Sequence, residues 1–128
     1  MYIEELFGTP VAWNPDPIAL WEEHMHELWS DYKGADMFIV RDENTGDILG
    51  GFAVYKDESD GINGLFCSGW AKHGAKVPTA RIIKQIVKNT GDLYFKTDQR
   101  TAKILLEKIG ERVKTTPRFV YYIVRDNN

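Results

Sequence analysis

Between Pro78 and Val124 the hydrophobic pattern changes period three times, and this alternation commits the chain to a layered α/β architecture. Ala80, Ile82, Ile83, Ile86 and Val87 recur at helical spacing behind Pro78, with Arg81, Lys84, Gln85 and Lys88 polar and Gly91 as a stop. Leu93-Tyr94-Phe95 then reads as a short strand. Thr97-Asp98 caps a second amphipathic stretch, with Ala102, Leu105, Leu106 and Ile109 on one side and Gly110 at its end. Val113 and the run Phe119 to Val124 close the chain as strands. Two one-sided helices interleaved with apolar strands must lay their stripes against a sheet.

The first half has fewer punctuation marks. Asn14-Pro15-Asp16-Pro17 is a helix start, with Asp16 able to cap and Pro17 suited to the first helical position. Ile18, Trp21, Met25, Leu28, Trp29 and Tyr32 follow at three- and four-residue spacing, predicting a helix over 17–32 that Lys33-Gly34 stops. Glu22, Glu23, Glu27 and Asp31 fall on its solvated face, opposite a core stripe of Trp21, Met25 and Trp29. Strands are predicted at about 36–41 and 48–56 as a hairpin around the turn Asp42 to Asp47, and a third at Leu65 to Trp70 beyond a polar turn from Lys56 to Gly61. The sequence leaves open whether Tyr2 to Phe7 adds a strand.

At 128 residues, 43% of them apolar, the chain is the size of one domain with enough core to need neither metal nor disulfide. Its one cysteine, Cys67, excludes an internal disulfide and reads as a small buried hydrophobe. Apolar runs are only a few residues long, which predicts no membrane span. The acidic start Met1-Tyr2-Ile3-Glu4-Glu5 is unlike a signal peptide, which predicts a cytoplasmic protein. His24 and His26 lie two apart on a helix and face different ways, so no metal site is predicted; His73 is assigned to a surface loop.

The charges are unevenly distributed. Residues 1–60 carry three Lys/Arg against fourteen Asp/Glu, a balance of −11, and residues 61–128 carry thirteen against five, a balance of +8. One reading is mutual neutralisation within the fold; the other is a basic side for an anionic ligand and an acidic side for a cationic partner. The basic residues lack the runs and interleaved aromatics of a nucleic-acid surface, so nucleic acid is not expected as a partner.

The order of elements, together with one helix, resembles the GNAT superfamily of acyl-coenzyme A N-acyltransferases. GNAT proteins tend to show Asn-x-x-Ala-x-x-Leu-Tyr-x-Lys-x-Gly-Phe in their last helix. This chain has Gln99-Arg-Thr-Ala102-Lys-Ile-Leu105-Leu106-Glu-Lys108-Ile-Gly110-Glu111, behind a strand Leu93-Tyr94-Phe95-Lys96. The resemblance implies one GNAT-like acyltransferase domain over 1–128, an α/β fold with a mixed, mostly antiparallel sheet and helices on both faces. It implies acetyl-CoA as cofactor and an amine-bearing small molecule or a basic protein surface as acceptor. It also implies that the strand at 65–70 splays from the strand at 93–96 to admit the pantetheine arm. Short, degenerate members of this kind are similar to proteins carried by tailed bacteriophages, in the host cytoplasm or the virion, and some such proteins are binding components without catalysis.

Two departures bear on chemistry. The family's tyrosine, the acid that protonates the departing thiolate, is Leu106 here. The phosphate loop has no clean glycine pattern; its counterpart is Gly74-Ala75-Lys76-Val77-Pro78-Thr79-Ala80, in which Pro78 removes one amide donor. By resemblance, Ser68, Gly69 and Trp70 would meet the pantetheine through main-chain groups, and Gly74, Ala75, Lys76, Thr79 and Arg81 the phosphates, with Lys72 adding charge. Candidate bases are Asp57, Glu58 and Asp60; candidate acids are Tyr94, Tyr121 and Tyr122. Cys67 has no paired base near it in sequence, against a nucleophilic role.

Overall fold

The computed structural model describes residues 1–6 and 17–127. It is a mixed α/β structure with a seven-stranded sheet. Strands β1 (Tyr2–Leu6), β2 (Asp36–Arg41), β3 (Ile48–Ser59), β4 (Ile62–Ala71), β5 (Leu93–Thr97), β6 (Glu111–Thr115) and β7 (Val120–Val124) lie in the order β1-β2-β3-β4-β5-β7-β6. Helices α1 (Pro17–Met25), α2 (Thr79–Thr90) and α3 (Arg100–Ile109) complete the described elements, with a 3-10 turn at Trp29–Asp31. The chain divides into two compact units, one of Met1–Lys56 with Ser68–Val77, the other of Asp57–Cys67 with Pro78–Asn128.

In the first unit, β2 and β3 form the expected hairpin, antiparallel, with Phe38 opposite Phe52 and Met37 opposite Ala53. Asp42 holds the turn by accepting the amides of Asn44 (2.8 Å) and Thr45 (3.0 Å). Tyr2 to Leu6 does form a strand, antiparallel to β2, and Arg41 pins it through Glu4 at 2.8 Å. Trp21, Trp29, Met37, Ile39, Ile48, Ala53 and Trp70 make one buried cluster, with Met25 and Tyr32 packed against it, so the tryptophan stripe is core.

The backbone that delivers this stripe is not the predicted helix over 17–32. α1 ends at Met25, and His26 adopts a φ of 58°, the left-handed region that breaks a helix. The chain restarts as the 3-10 turn, whose Trp29 amide donates to the Glu22 carboxylate at 2.9 Å. Glu27 accepts the Tyr32 hydroxyl. Two of the four carboxylates assigned to a solvated helix face therefore hold the break together. Asp16, the expected cap, lies outside the described residues.

In the second unit, β5 and β7 pair antiparallel over their full lengths, and β6 adds an exposed, charged edge beyond β7. α3 reaches the β7 face that carries Tyr122, whose hydroxyl donates to Glu107 at 2.9 Å. α2 buries Ile82, Ile83, Ile86 and Val87, as its spacing requires, and Gly91 ends it at φ 93°. α3 starts later than expected: Gln99 is its N-cap, with no side-chain cap bond, and Thr97 accepts the Gln99 amide at 3.0 Å. The predicted polar turn from Lys56 to Gly61 shrinks to two residues. β3 continues to Ser59, and Asp60-Gly61 turn with φ of 50° and 81°, both positive as a tight primed turn demands.

Candidate functional site

The predicted site residues fall into two groups, one in each unit. In the first unit, Ser68, Gly69 and Trp70 occupy the end of β4. Trp70 is 9% exposed, with its ring in the core and the His24 imidazole stacked on it, centroids 3.9 Å apart. Gly69 is exposed through its backbone, while the space a side chain would take is filled: a Cβ there would overlap the Phe52 ring and sit 2.9 Å from the Gly51 carbonyl oxygen. Ser68 is tied to β3, its Oγ lying 2.8 Å from the Tyr55 hydroxyl. The Tyr55 ring meets Tyr32 edge-on at 4.9 Å. Burial first, then the hydrogen bond to Glu27, pushes the Tyr32 hydroxyl well above the usual tyrosine range, so it stays protonated. Glu27 and Tyr32 flank the 3-10 turn while Tyr55 and Ser68 lie on β3 and β4, so tertiary structure, not sequence spacing, links the four.

The loop after β4 leaves Lys72, His73, Gly74 and Lys76 exposed. The Lys72 amide donates to the Leu49 carbonyl at 2.7 Å, which anchors its start. Gly74 and Lys76 have φ of 81° and 53°. The left-handed geometry that a glycine would adopt freely is here carried by a lysine. Ala75 is half-buried.

In the second unit, Pro78 is the N-cap of α2, Thr79 its half-buried first residue, and Arg81 is exposed in its first turn. α2 contains no carboxylate, and its exposed face carries Arg81, Lys84 and Lys88. β4 and β5 run parallel, with Phe66 opposite Tyr94 as their one paired position, so these strands are not zipped along their lengths.

The candidate acids and bases are sorted by their partners. Asp57 and Glu58 lie on β3, not in a turn, and Glu58 is exposed. Asp60 accepts the Tyr121 hydroxyl, which also lies 2.7 Å from Ser59 Oγ; Lys96 donates to the same serine at 3.2 Å. Burial, then Asp60, raises Tyr121 above its ordinary value. Burial, then Glu107, does the same for Tyr122. Tyr94 is half-buried, its ring 5.5 Å from that of Phe66, and its hydroxyl has no hydrogen-bond partner among the described residues. It is the uncommitted phenol of the three. Leu106, in place of the family's tyrosine, is 4% exposed and belongs to the core. Cys67 is buried, and burial alone pushes its thiol far up, so it holds its proton and is a poor nucleophile.

The raised tyrosines make an alkaline prediction with a definite sign. Tyr32, Tyr121 and Tyr122 bind their protons more tightly folded than unfolded, so their contribution is whole below a pH of about 10, the ordinary tyrosine value. Above it the unfolded chain releases protons first and stability falls. Urea midpoints taken from pH 8 to 11.5 should decline at the top of that range, and Tyr32→Phe should flatten the decline. An identical slope in the variant would remove Tyr32 from the cause.

No described helix is long and apolar enough to cross a membrane. No protein-family model matches the chain, and neither does any curated protein. Solved structures do match. The N-acetyltransferase PseH of Campylobacter jejuni superimposes with a TM-score of 0.63 at 13% identity, covering 98% of this chain and 99% of that one. Its structure in complex with acetyl coenzyme A gives 0.61 at 15% identity, with 98% and 100% covered. The chain therefore has the GNAT-like fold that the element order and the last helix pointed to.

Proposed function

We propose that this protein is a GNAT-type N-acetyltransferase that moves an acetyl group from acetyl-CoA to an amine acceptor. The observation that carries the reading is the end-to-end likeness to an N-acetyltransferase, one structure of which holds acetyl coenzyme A. Local features support it. The pairing of β4 with β5 at one position is what a strand separation for a pantetheine arm requires. The exposed Gly69 backbone offers main-chain groups on β4. Lys76, the first-turn amides from Thr79 on and Arg81 supply cations and a helix dipole suited to phosphates. Ser68, Trp70, Gly74 and Ala75 complete the proposed contacts.

The chemistry asks little of side chains. The bound thioester supplies an activated acetyl carbonyl. The acceptor nitrogen, once neutral, forms the amide bond as the carbon–sulfur bond breaks, and the proton it gives up balances the one the thiolate takes. Tyr94 is the phenol we assign to deliver that proton, because Tyr121 and Tyr122 are held by Asp60 and Glu107. Glu58, exposed on β3, is the carboxylate we assign to take a proton through water.

A second reading, a GNAT-like binding protein without catalysis, is favoured by one observation: the acid position of the family is a core leucine, Leu106. Calorimetry with coenzyme A followed by a thiol-release assay with acetyl-CoA and a panel of primary amines separates the two. Binding with thiol release that depends on amine supports transfer, and release lost in Tyr94→Phe supports its role. Binding without release supports the second reading, and no binding removes acetyl transfer while leaving the second reading standing.

A further inference from the structure

Within the first unit, the break between α1 and the 3-10 turn opens a recess of about 520 Å³, within the span of small-ligand sites of roughly 300–1,000 Å³. Ile18, Glu22, Trp29, Tyr32, Lys33 and Asp36 line it. From these residues we infer that the recess binds an organic ammonium, a cationic amine with an apolar body. In terms of the acyl-transfer reading on which this rests, that amine is the acceptor.

Three features converge on this chemistry. The rings of Trp29 and Tyr32 lie stacked, centroids 6.0 Å apart, and aromatic faces attract a desolvated cation. The carboxylates of Glu22 and Asp36 are in no ion pair among the described residues, and Glu22 is held in place by the Trp29 amide at 2.9 Å. Ile18 gives the apolar body a surface. Lys33 is the one cation in the lining; it opposes an ammonium and so makes the assignment testable.

The position of the recess supports the acceptor role. Tyr32, one of its walls, touches Tyr55, and the Tyr55 hydroxyl lies 2.8 Å from Ser68 Oγ on β4, the strand proposed to lie along the thioester arm. An amine held against Tyr32 is two side chains from that strand. It docks as the ammonium and must lose one proton before its lone pair attacks.

The probe is benzylammonium, with benzyl alcohol as its neutral isostere, each titrated by calorimetry without coenzyme A and followed by the shift of the Trp29 indole resonance. The cation should bind in the millimolar range and lose affinity in high salt, and the alcohol should bind more weakly. Glu22→Gln with Asp36→Asn keeps an acceptor for the Trp29 amide and should weaken the cation roughly three- to tenfold, as expected for two partly exposed charge contacts. Lys33→Met should tighten it. Should the double variant unfold, Asp36→Asn and Lys33→Met alone decide the matter. Equal binding of the alcohol, shifts that leave Trp29 untouched, or unchanged affinity in the charge variants would overturn the inference. Amine-dependent thiol release with an unchanged KM in the double variant would reject the recess and leave acyl transfer standing. Benzylammonium bound at Trp29 with no coenzyme A binding would do the reverse.

Discussion

Trp21→Ala should cost about 3–5 kcal/mol, the range for truncating a buried tryptophan, out of a total that for domains of this size is about 5–15 kcal/mol. Trp21 is wholly buried, and its ring meets Trp29 and Tyr32 edge-on, each at 5.3 Å. It is therefore the side chain that joins α1 to the residues after the helix break. Its loss leaves a cavity on the side where the backbone is already irregular, so collapse to fill it would displace the 3-10 turn. Trp21→Phe keeps a ring and should cost less. Leu28, 59% exposed at the start of that turn, is the control: Leu28→Ala should stay within about half a kcal/mol. Denaturant unfolding of the three variants checks the ranking. A Trp21→Ala variant as stable as Leu28→Ala would show that the cluster around it does not hold the unit together.

The same region shows where sequence periodicity stops carrying information. Leu28, Trp29 and Tyr32 continue the apolar spacing of Ile18, Trp21 and Met25, and a helix over 17–32 satisfies that spacing. The structure satisfies it differently, with a left-handed His26 and a 3-10 turn that still aim Trp29 and Tyr32 into the cluster. Spacing reports which side chains are buried; it does not report the backbone path that buries them. At residues 56–61 the reverse holds: alternating charge reads as a polar turn, and the structure makes most of it strand. Lys56 and Glu58 are exposed and Asp57 and Ser59 half-buried, a two-residue period on a partly solvated strand, and the Asp60-Gly61 pair was the signal for the turn. By contrast α2, α3, the β2–β3 hairpin and β7 were legible, because each pairs a clear period with a clear stop.

The candidate site divides in the same way. Sequence nominated Ser68, Gly69, Lys76 and Arg81 by their place in a pattern, and Tyr94, Tyr121 and Tyr122 by residue type. It could not rank the tyrosines, since Asp60 and Glu107 reach their hydroxyls only through tertiary structure. Nor could it find Tyr55 beside Ser68, or the recess, whose walls come from α1, the 3-10 turn and the start of β2. Charge behaves similarly. The ion pairs of Arg41 with Glu4, Arg112 with Glu107, and Arg125 with Asp92 and Glu111 each join partners from the same half of the sequence.

Arg81 and Lys76 make the strongest test of the anionic side of that asymmetry. If acetyl-CoA binds as proposed, Lys76→Glu with Arg81→Glu should weaken coenzyme A by tenfold or more, since each replacement removes a charge-assisted phosphate contact and adds a repulsion, and every ~1.4 kcal/mol is a factor of ten. Both residues are exposed and in no ion pair among the described residues, so the variant should keep its far-UV spectrum and melting point. The loss should shrink as salt rises, because screening weakens the wild-type contacts and the new repulsions together. Lys76→Gly separates charge from conformation. Lys76 sits at φ 53°, so glycine keeps that backbone conformation accessible while removing the amine, and affinity retained in that variant would show that the amine is dispensable. Lys88→Glu, at the far end of α2 from Pro78, is the control and should cost little, because a single exposed charge more than two helical turns from a phosphate is largely screened at physiological salt. Equal losses at Lys88 and at Arg81 would show that coenzyme A responds to the overall charge of the basic half, with no phosphate site at the start of α2.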